Sequence, residues 1–214
     1  MKTPAAFTDY PPLPDRFYQR PDVVQIARDL VGKWLWTYQE GALTAGRIVE
    51  TEAYCGRNDK ACHAHKNRYT KRTKVMYAAG GCAYVYLCYG IHNLFNIVTN
   101  TEGNADAVLI RAIEPMEGKL VMCLRRKQEK VAPALTAGPG RLTQALAITR
   151  EQNTLRLNTP EIWISEAPPE HRVPEPRLLD GPRVGIGYAE EDALLPWRFR
   201  EKGSRWCSRP NPQE

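Results

Sequence analysis

Apolar residues recur along this chain at intervals that divide it into strands and a few helices. Val23, Ile26, Ala27 and Leu30 stand at helical spacing after Asp22, an N-cap candidate that follows Pro21, and Gly32 ends the run. Residues 34–38 read as a strand, and Gly41 turns the chain into a second one. Residues 56–73 carry Arg57, Lys60, His63, His65, Lys66, Arg68, Lys71 and Arg72; they are too polar for a core and read as a long functional loop. Gly80-Gly81 marks a turn, residues 82–89 a strong strand, Gly90 its break, and residues 94–98 the returning arm of a hairpin. Residues 107–113 form a further strand pattern, with Arg111 set among apolar neighbours. Residues 116–128 predict a helix, apolar at Leu120, Val121 and Leu124, whose basic end (Arg125, Arg126, Lys127) suits the helix dipole. Gly138-Pro139-Gly140 leads into another helix through Leu142, Ala145 and Leu146. Residues 162–165 read as a short strand, 167–182 as an irregular connection holding five prolines, and 184–188 and 197–200 as the last strands.

Strands dominate this order, hairpins fill its first half, and regular βαβ alternation is absent. The prediction is an α+β fold: a single domain with a curved, largely antiparallel β-sheet core, flanking helices and a protruding β-hairpin. Residues 1–21, with Pro4, Pro11, Pro12, Pro14 and Pro21, are expected to lie over the surface as an N-terminal tail; the domain is expected over 22–208 and a short tail over 209–214.

Residues 47–54, Arg-Ile-Val-Glu-Thr-Glu-Ala-Tyr, depart from the apolar pattern. Side chains alternate across a strand, so Glu50, Glu52 and Tyr54 share one face and Arg47, Val49, Thr51 and Ala53 the other. A buried carboxylate costs several kcal/mol unless it is paired or neutralised. A site that needs a base beside a flat ring would tolerate that cost.

Composition narrows the setting. The 214 residues suit one domain with a real core. No run of 18 apolar residues predicts a transmembrane helix, and the N-terminus has no apolar stretch of a secretory signal. The chain is therefore expected to stay unsecreted, in the cytoplasm or nucleoid of a bacterium or the nucleus of a eukaryote. The net charge of +6 and pI near 9.0 fit a polyanionic partner, and equally a basic protein without one. The six cysteines show no C-x-x-C spacing and are expected as reduced thiols. The run from Cys55 to Cys62-His63-Ala64-His65 invites a zinc reading but matches no usual structural-zinc template, so neither metal nor cofactor is expected. A GxGxxG fingerprint and a P-loop are both missing, which counts against dinucleotide and nucleotide-triphosphate chemistry.

Aromatics gather around the acidic strand: Tyr54, Tyr69, Tyr77, Tyr84, Tyr86 and Tyr89, with His63, His65 and His92. Flat rings beside a basic loop suit a nucleobase pocket, since bases stack on aromatic faces and Arg or Lys holds phosphates. Tyrosines that merely pack a sheet give the same pattern, and for Tyr84 that is the preferred reading. Tyr89, next to Gly90, can stand at a hairpin tip, where an aromatic could wedge between stacked bases.

Residues 48–54 (Ile-Val-Glu-Thr-Glu-Ala-Tyr), 61–63, 84–90 (Tyr-Val-Tyr-Leu-Cys-Tyr-Gly), Asn96 and 109–115 (Leu-Ile-Arg-Ala-Ile-Glu-Pro) resemble the alkyladenine (3-methyladenine) DNA glycosylase family, and 138–148 and 183–187 extend the likeness. The resemblance implies a monofunctional enzyme, likewise without a cofactor. It acts as a monomer on double-stranded DNA, flips out alkylated or deaminated purines and hydrolyses the N-glycosidic bond to begin base-excision repair. It implies Glu52 as the base that activates water, Arg111 and the Val184 carbonyl as further contacts of that water, and Tyr54 and His63 on one side of the flipped base with Tyr86 on the other. It further implies Asn96 as the side chain that excludes 2-aminopurines and Tyr89 as the residue that fills the vacated place in the duplex. Arg72, in the basic loop, is expected to touch DNA. Glu50 then falls to a structural role, paired to a basic residue. The chain departs from the family's usual look at Ala78-Ala79-Gly80-Gly81, where a Pro-Gly turn is common, and at Cys82-Ala83 and Ile91-His92-Asn93. A non-enzymatic nucleic-acid-binding module and a hydrolase of free nucleosides are the competing readings. A zinc deaminase lacks its H-x-E and P-C-x-x-C pattern here.

Overall fold

A computed structural model describes residues 3–172 and 177–209. Pro174 and Pro176 of the irregular connection, and residues 210–214 of the C-terminal tail, lie outside the described residues. Two short helices, α1 (Ala5–Asp9) and α2 (Asp15–Tyr18), precede α3 (Val23–Leu30), β1 (Trp34–Gln39) and β2 (Ala42–Tyr54). The hairpin β3 (Ala83–Cys88) and β4 (His92–Thr99) is followed by β5 (Asp106–Glu117), α4 (Lys119–Arg126) and α5 (Pro139–Ala145). Short strands β6 (Asn158–Thr159), β7 (Ile162–Ser165), β8 (Leu178–Gly181) and β9 (Arg198–Glu201) complete the described chain.

The strands form one curled antiparallel sheet in the order β3-β4-β5-β2-β1-β7-β6, with β9 paired to both β2 and β8. This is the expected α+β architecture. The 13-residue β2 organises it. Its one edge pairs with β5; along the other, β1 covers residues 42–47 and β9 covers residues 50–52. The Asp22 side chain accepts the Gln25 amide at 2.9 Å, the N-cap bond expected of it and a contribution of about 1 kcal/mol to α3.

Register explains how one face became polar. Tyr84 stands opposite Asn96, Asn96 opposite Leu109, Leu109 opposite Glu52, and Glu52 opposite Arg198, so one row crosses five strands. Cross-strand partners share a face, and with period two Tyr86, Arg111 and Tyr54 join that row's face. The alternate residues, Ala83, Val85, Phe95, Ile97, Val108, Ile110, Ala53 and Phe199, lie in the main core, where α3 packs on β2 and β5, and α5 on β4 and β5. The sheet thus buries its apolar face under helices and holds polar groups on the other.

Alternation within residues 47–54 is not continuous. The register with β5 shifts on either side of Glu50: Ile48 pairs with Ile113 and Glu50 with Ala112, which leaves Val49 as the extra residue of a β-bulge. Ile48 and Ala53 face the main core, and Thr51 reaches the Ala27 carbonyl of α3 at 2.8 Å. Val49 instead packs with Ala112, Trp206 and Cys207. Glu50, Glu52 and Tyr54 remain on one face, as expected, but Val49 and Arg47, which pairs with Glu114 and Glu201, have left the face assigned to them.

Other expectations are corrected. The helix expected over 116–128 begins only at Lys119, because Glu117 still pairs with Ala45 and Gly118, at φ +68°, then breaks the strand. Its buried side chains are Met122 and Cys123, while Leu120 and Leu124 are exposed. Residues 184–188 are not a strand: a bend at Val184 and Gly185 leads into a 3-10 helix at Gly187–Leu194. Strand β8 arises inside the proline-rich connection, paired to β9. The loop at 56–73 is not wholly polar in its packing, since Asp59, Ala61, Cys62, Ala64 and Thr73 are buried. The N-terminal segment does more than lie over the surface. Tyr10 stacks on Trp36, Phe7 meets Trp163 edge-on, and Leu13 and Tyr18 are buried. Aromatic rings between the prolines supply enough apolar area to hold it there.

Candidate active site

Glu52 is fully buried. Its Oε1 accepts the backbone amide of Val184 at 2.7 Å and lies 3.3 Å from Nη1 of Arg111. Its Oε2 accepts the Tyr54 hydroxyl at 2.7 Å. A carboxylate offers about four lone-pair sites, so two hydrogen-bond donors and the ion pair with Arg111 leave at least one acceptor position for a further group. Burial, then the nearby Glu52 charge and hydrogen bond, raise the Tyr54 phenol well above its usual range, which keeps it a donor. For Arg111, burial opposes the charged form, but Glu52 and Glu50 outweigh it and its pKa rises.

Val184 reaches Glu52 because its neighbour is anchored. Arg183 forms a two-pronged ion pair with Asp59, both side chains wholly buried, and donates to the Ala53 carbonyl at 2.8 Å. Its guanidinium lies over the Tyr54 ring, 4.8 Å from the centroid, so one arginine fixes both the loop and the ring. This pair was not singled out from the sequence. The only signal was a lone arginine among the turn residues 181–187.

The aromatic wall lies on the same face. Tyr54 and Tyr86 both pack against a small cluster that includes Cys62, Met76, Tyr84 and Ala107. His63 meets Tyr86 edge to face, with centroids 4.8 Å apart. A base sandwiched between two parallel rings needs them about 7 Å apart, twice the stacking repeat of about 3.4 Å. The His63 and Tyr86 rings are closer than that and edge to face, so in this conformation they touch. His63 Nε2 lies 3.1 Å from Nη2 of Arg72, and its Nδ1 lies 2.9 Å from the Tyr84 hydroxyl. Arginine only donates, so Nε2 accepts and Nδ1 carries the proton. Burial first, and Arg72 second, lower the His63 pKa to about 4, so the ring is neutral at pH 7. Arg72 also spans the Tyr86 ring at 4.6 Å. Tyr84, read from the sequence as packing, is indeed buried, but its hydroxyl joins this polar network.

Asn96, on β4 opposite Tyr84, is buried and turns its amide nitrogen to the Tyr84 carbonyl at 3.1 Å. Tyr89 is 89% exposed at the tip of the hairpin. Tyr89 and Gly90 both have positive φ and Ile91 closes the turn onto Cys88, as a type I′ turn requires. On the outer side of His63 a cleft of about 420 Å³ is lined by Lys60, His65, Arg68, Arg72 and Tyr188 among others. Lys60 is paired to Glu190 and Glu191, whereas Lys66, Arg68 and Lys71 form no ion pair among the described residues.

Glu50 is paired, as expected, but to two arginines: its Oε1 accepts Nε of Arg111 at 2.8 Å and Nε of Arg198 at 2.7 Å. Sequence reasoning passed over Arg198 and Ser208, which completes this cluster. Arg198 lacked the signal of Arg111, because its strand, Arg-Phe-Arg-Glu, is mostly charged. All six cysteines are free, and among the described residues no three His, Cys, Asp or Glu side chains come together as a metal-binding group. No helix among the described residues is long and apolar enough to cross a membrane.

A buried carboxylate with one open acceptor position, an arginine beside it, an aromatic wall and a basic rim together make a face suited to hydrolysis next to a flat ring. Comparison with known proteins agrees. Residues 16–205 match the family described as methylpurine-DNA glycosylase (MPG). A protein of Chlamydia abortus is 48% identical over 188 residues, covering 87% of this chain and 96% of its own length. Proteins of Methanocella arvoryzae and Myxococcus xanthus are each 44% identical, over 203 and 201 residues, covering 94% of this chain and 98% and 95% of theirs. All three bear the name "Putative 3-methyladenine DNA glycosylase". The chain belongs to the methylpurine-DNA glycosylase family, hydrolases of N-glycosyl bonds that serve DNA repair.

Proposed function

We propose that this enzyme removes alkylated or deaminated purines from double-stranded DNA by base flipping and hydrolysis at Glu52. The observation that carries the reading is the Glu52 carboxylate: buried, held by Val184, Tyr54 and Arg111, and set in the same sheet face as Tyr86 and Asn96. A water in the open acceptor position gives its proton to Glu52 as its oxygen bonds to the sugar C1′. The C–N bond breaks, and its electron pair leaves with the base. The sugar passes through oxocarbenium character, as in glycoside hydrolysis, and a carboxylate beside it stabilises that charge. Arg111 contacts the same water, and so does the Val184 carbonyl.

The flipped base stacks between Tyr86 and the pair Tyr54 and His63 once the rings part, each stacking contact contributing about 1–3 kcal/mol. Asn96 crowds a 2-amino group, which selects against normal guanine, while 7-methylguanine, cationic in DNA, leaves readily enough to be released in spite of that group. Tyr89 fills the place of the extruded nucleotide, and Arg72, Arg68, Lys66 and Lys71 meet the phosphates. The groups against Glu52 are an amide, a phenol and a guanidinium; among the described residues no amine contacts it that could form a Schiff base, and the abasic strand stays intact. 3-Methyladenine is cationic in DNA and leaves as a neutral base, so it makes the least demand on the site. The names of the relatives point the same way. The domain acts as a monomer, in the compartment that holds the chromosome.

Duplexes with a single 3-methyladenine, 7-methylguanine, hypoxanthine or ethenoadenine test this reading. The expected products are free base and an abasic strand that breaks only on treatment with alkali. Release of none of these bases, cleavage without alkali, or equal activity on free nucleosides would contradict it.

A further inference from the structure

We infer that Ser208 and Glu50 form a clasp that positions Arg111 against Glu52, and that the C-terminal segment is thereby part of the working site. The inference rests on the reading of Glu52 as the base. Residues 206–208 lie beyond the span matched by the family, which ends at 205. Yet Ser208 is only 3% exposed and sits at the centre of the charged cluster.

Every polar group of Ser208 is used there. Its amide donates to Glu50 Oε2 at 2.5 Å, and its hydroxyl to Glu50 Oε1 at 2.9 Å. The hydroxyl oxygen accepts Nη2 of Arg111 at 3.0 Å, and its carbonyl accepts Nη2 of Arg198 at 2.9 Å. Trp206 and Cys207, packed on Val49 and Ala112, hold the segment down, so the bulge at Val49 is what seats it.

The effect falls on Arg111. A guanidinium beside a carboxylate prefers a two-pronged fork, which engages both oxygens. Here Nε is held by Glu50 and Nη2 by Ser208, so only Nη1 is left for Glu52, at the longer distance of 3.3 Å. The clasp keeps Arg111 close enough to meet a shared water and prevents it from occupying both oxygens of the base. The clasp acts through hydrogen bonds of fixed direction, so its contribution is orientation. Ser208 and Glu50 are positioning residues, acting through Arg111.

Ser208→Ala tests this gently, because it keeps the backbone bond to Glu50 and leaves no charge unpaired. The measurements are the single-turnover rate of base release from duplex methylated with dimethyl sulfate, the Kd for an abasic-site duplex, and Tm. The expected result is a rate lower by about 10-fold, within the loss that misplacement of a catalytic group produces, with Kd near that of the unsubstituted enzyme and Tm lower by about 2–8 °C because the buried Nη2 of Arg111 loses its acceptor. Ser208→Thr, which restores the hydroxyl, is expected to recover most of the rate. An unchanged rate in Ser208→Ala, a loss shared equally by Kd, or a Ser208→Thr variant as slow as Ser208→Ala would overturn the inference. Glu52→Gln in parallel separates the two ideas. If it is inactive while Ser208→Ala is normal, only the clasp falls; if it stays active, the reading of Glu52 falls.

Discussion

The backbone amide of Val184 donates to Oε1 of Glu52 at 2.7 Å, joining an irregular loop to a fully buried acid of β2. At Val184 only proline would remove this backbone donor, and its ring would also constrain the bend, so the contact is best probed through what holds the loop.

That support is the Arg183–Asp59 pair. Removing one partner of a buried pair leaves an uncompensated charge and costs about 3–5 kcal/mol. Asp59→Ala is expected to lower unfolding free energy in urea by that amount, and base release by more than the folded fraction explains, since Val184 and the Tyr54 ring both lose their anchor. A loss under about 1 kcal/mol would show that the pair is not the support.

Tyr89 holds a left-handed backbone, φ +49°, at the hairpin tip. That conformation costs a side-chain-bearing residue about 1–2 kcal/mol, a cost glycine does not bear. Tyr89→Gly is therefore expected to leave Tm unchanged or raise it, while base release from duplex falls by about 10-fold through loss of the wedge. A lower Tm with normal release would reverse both halves of the argument.

The His63 ring titrates near 6.5 in an unfolded chain and at about 4 in the fold. Between those values the unfolded chain binds more protons, so stability falls as pH drops through that window and is unaffected above it. His63→Gln is expected to flatten that part of the stability curve measured by urea unfolding between pH 7 and pH 4. A slope identical to that of the unsubstituted protein would place the proton elsewhere.

Much of this site was legible because strands write their faces into sequence. The alternation of Ala83, Tyr84, Val85 and Tyr86 follows the face each side chain takes, and Arg111 inside apolar residues marks a buried partner. The bulge at Val49 was not legible: an extra residue depends on the partner strand, not on the strand that carries it. Helix α4 was misread because Leu120 and Leu124 keep an apolar spacing although neither is buried, while continued pairing of Glu117 decided where the helix starts. Val184 reads locally as a strand residue, and only the distant pair of Arg183 and Asp59 bends the chain there. Ser208 carries no signal at all, since a serine near a chain's end gains meaning only from the arginines folded around it.

Catalysis on this reading depends first on Glu52 as the base. The most direct measurement is single-turnover release of 3-methyladenine from duplex DNA by Glu52→Gln, alongside its affinity for the same duplex. Glutamine keeps the shape and the Val184 contact but cannot take a proton from water. Base release is expected to fall to the limit of detection, with DNA binding retained. Release at a rate within about 10-fold of the unsubstituted enzyme, less than the roughly 100-fold that general-base catalysis contributes, would contradict it.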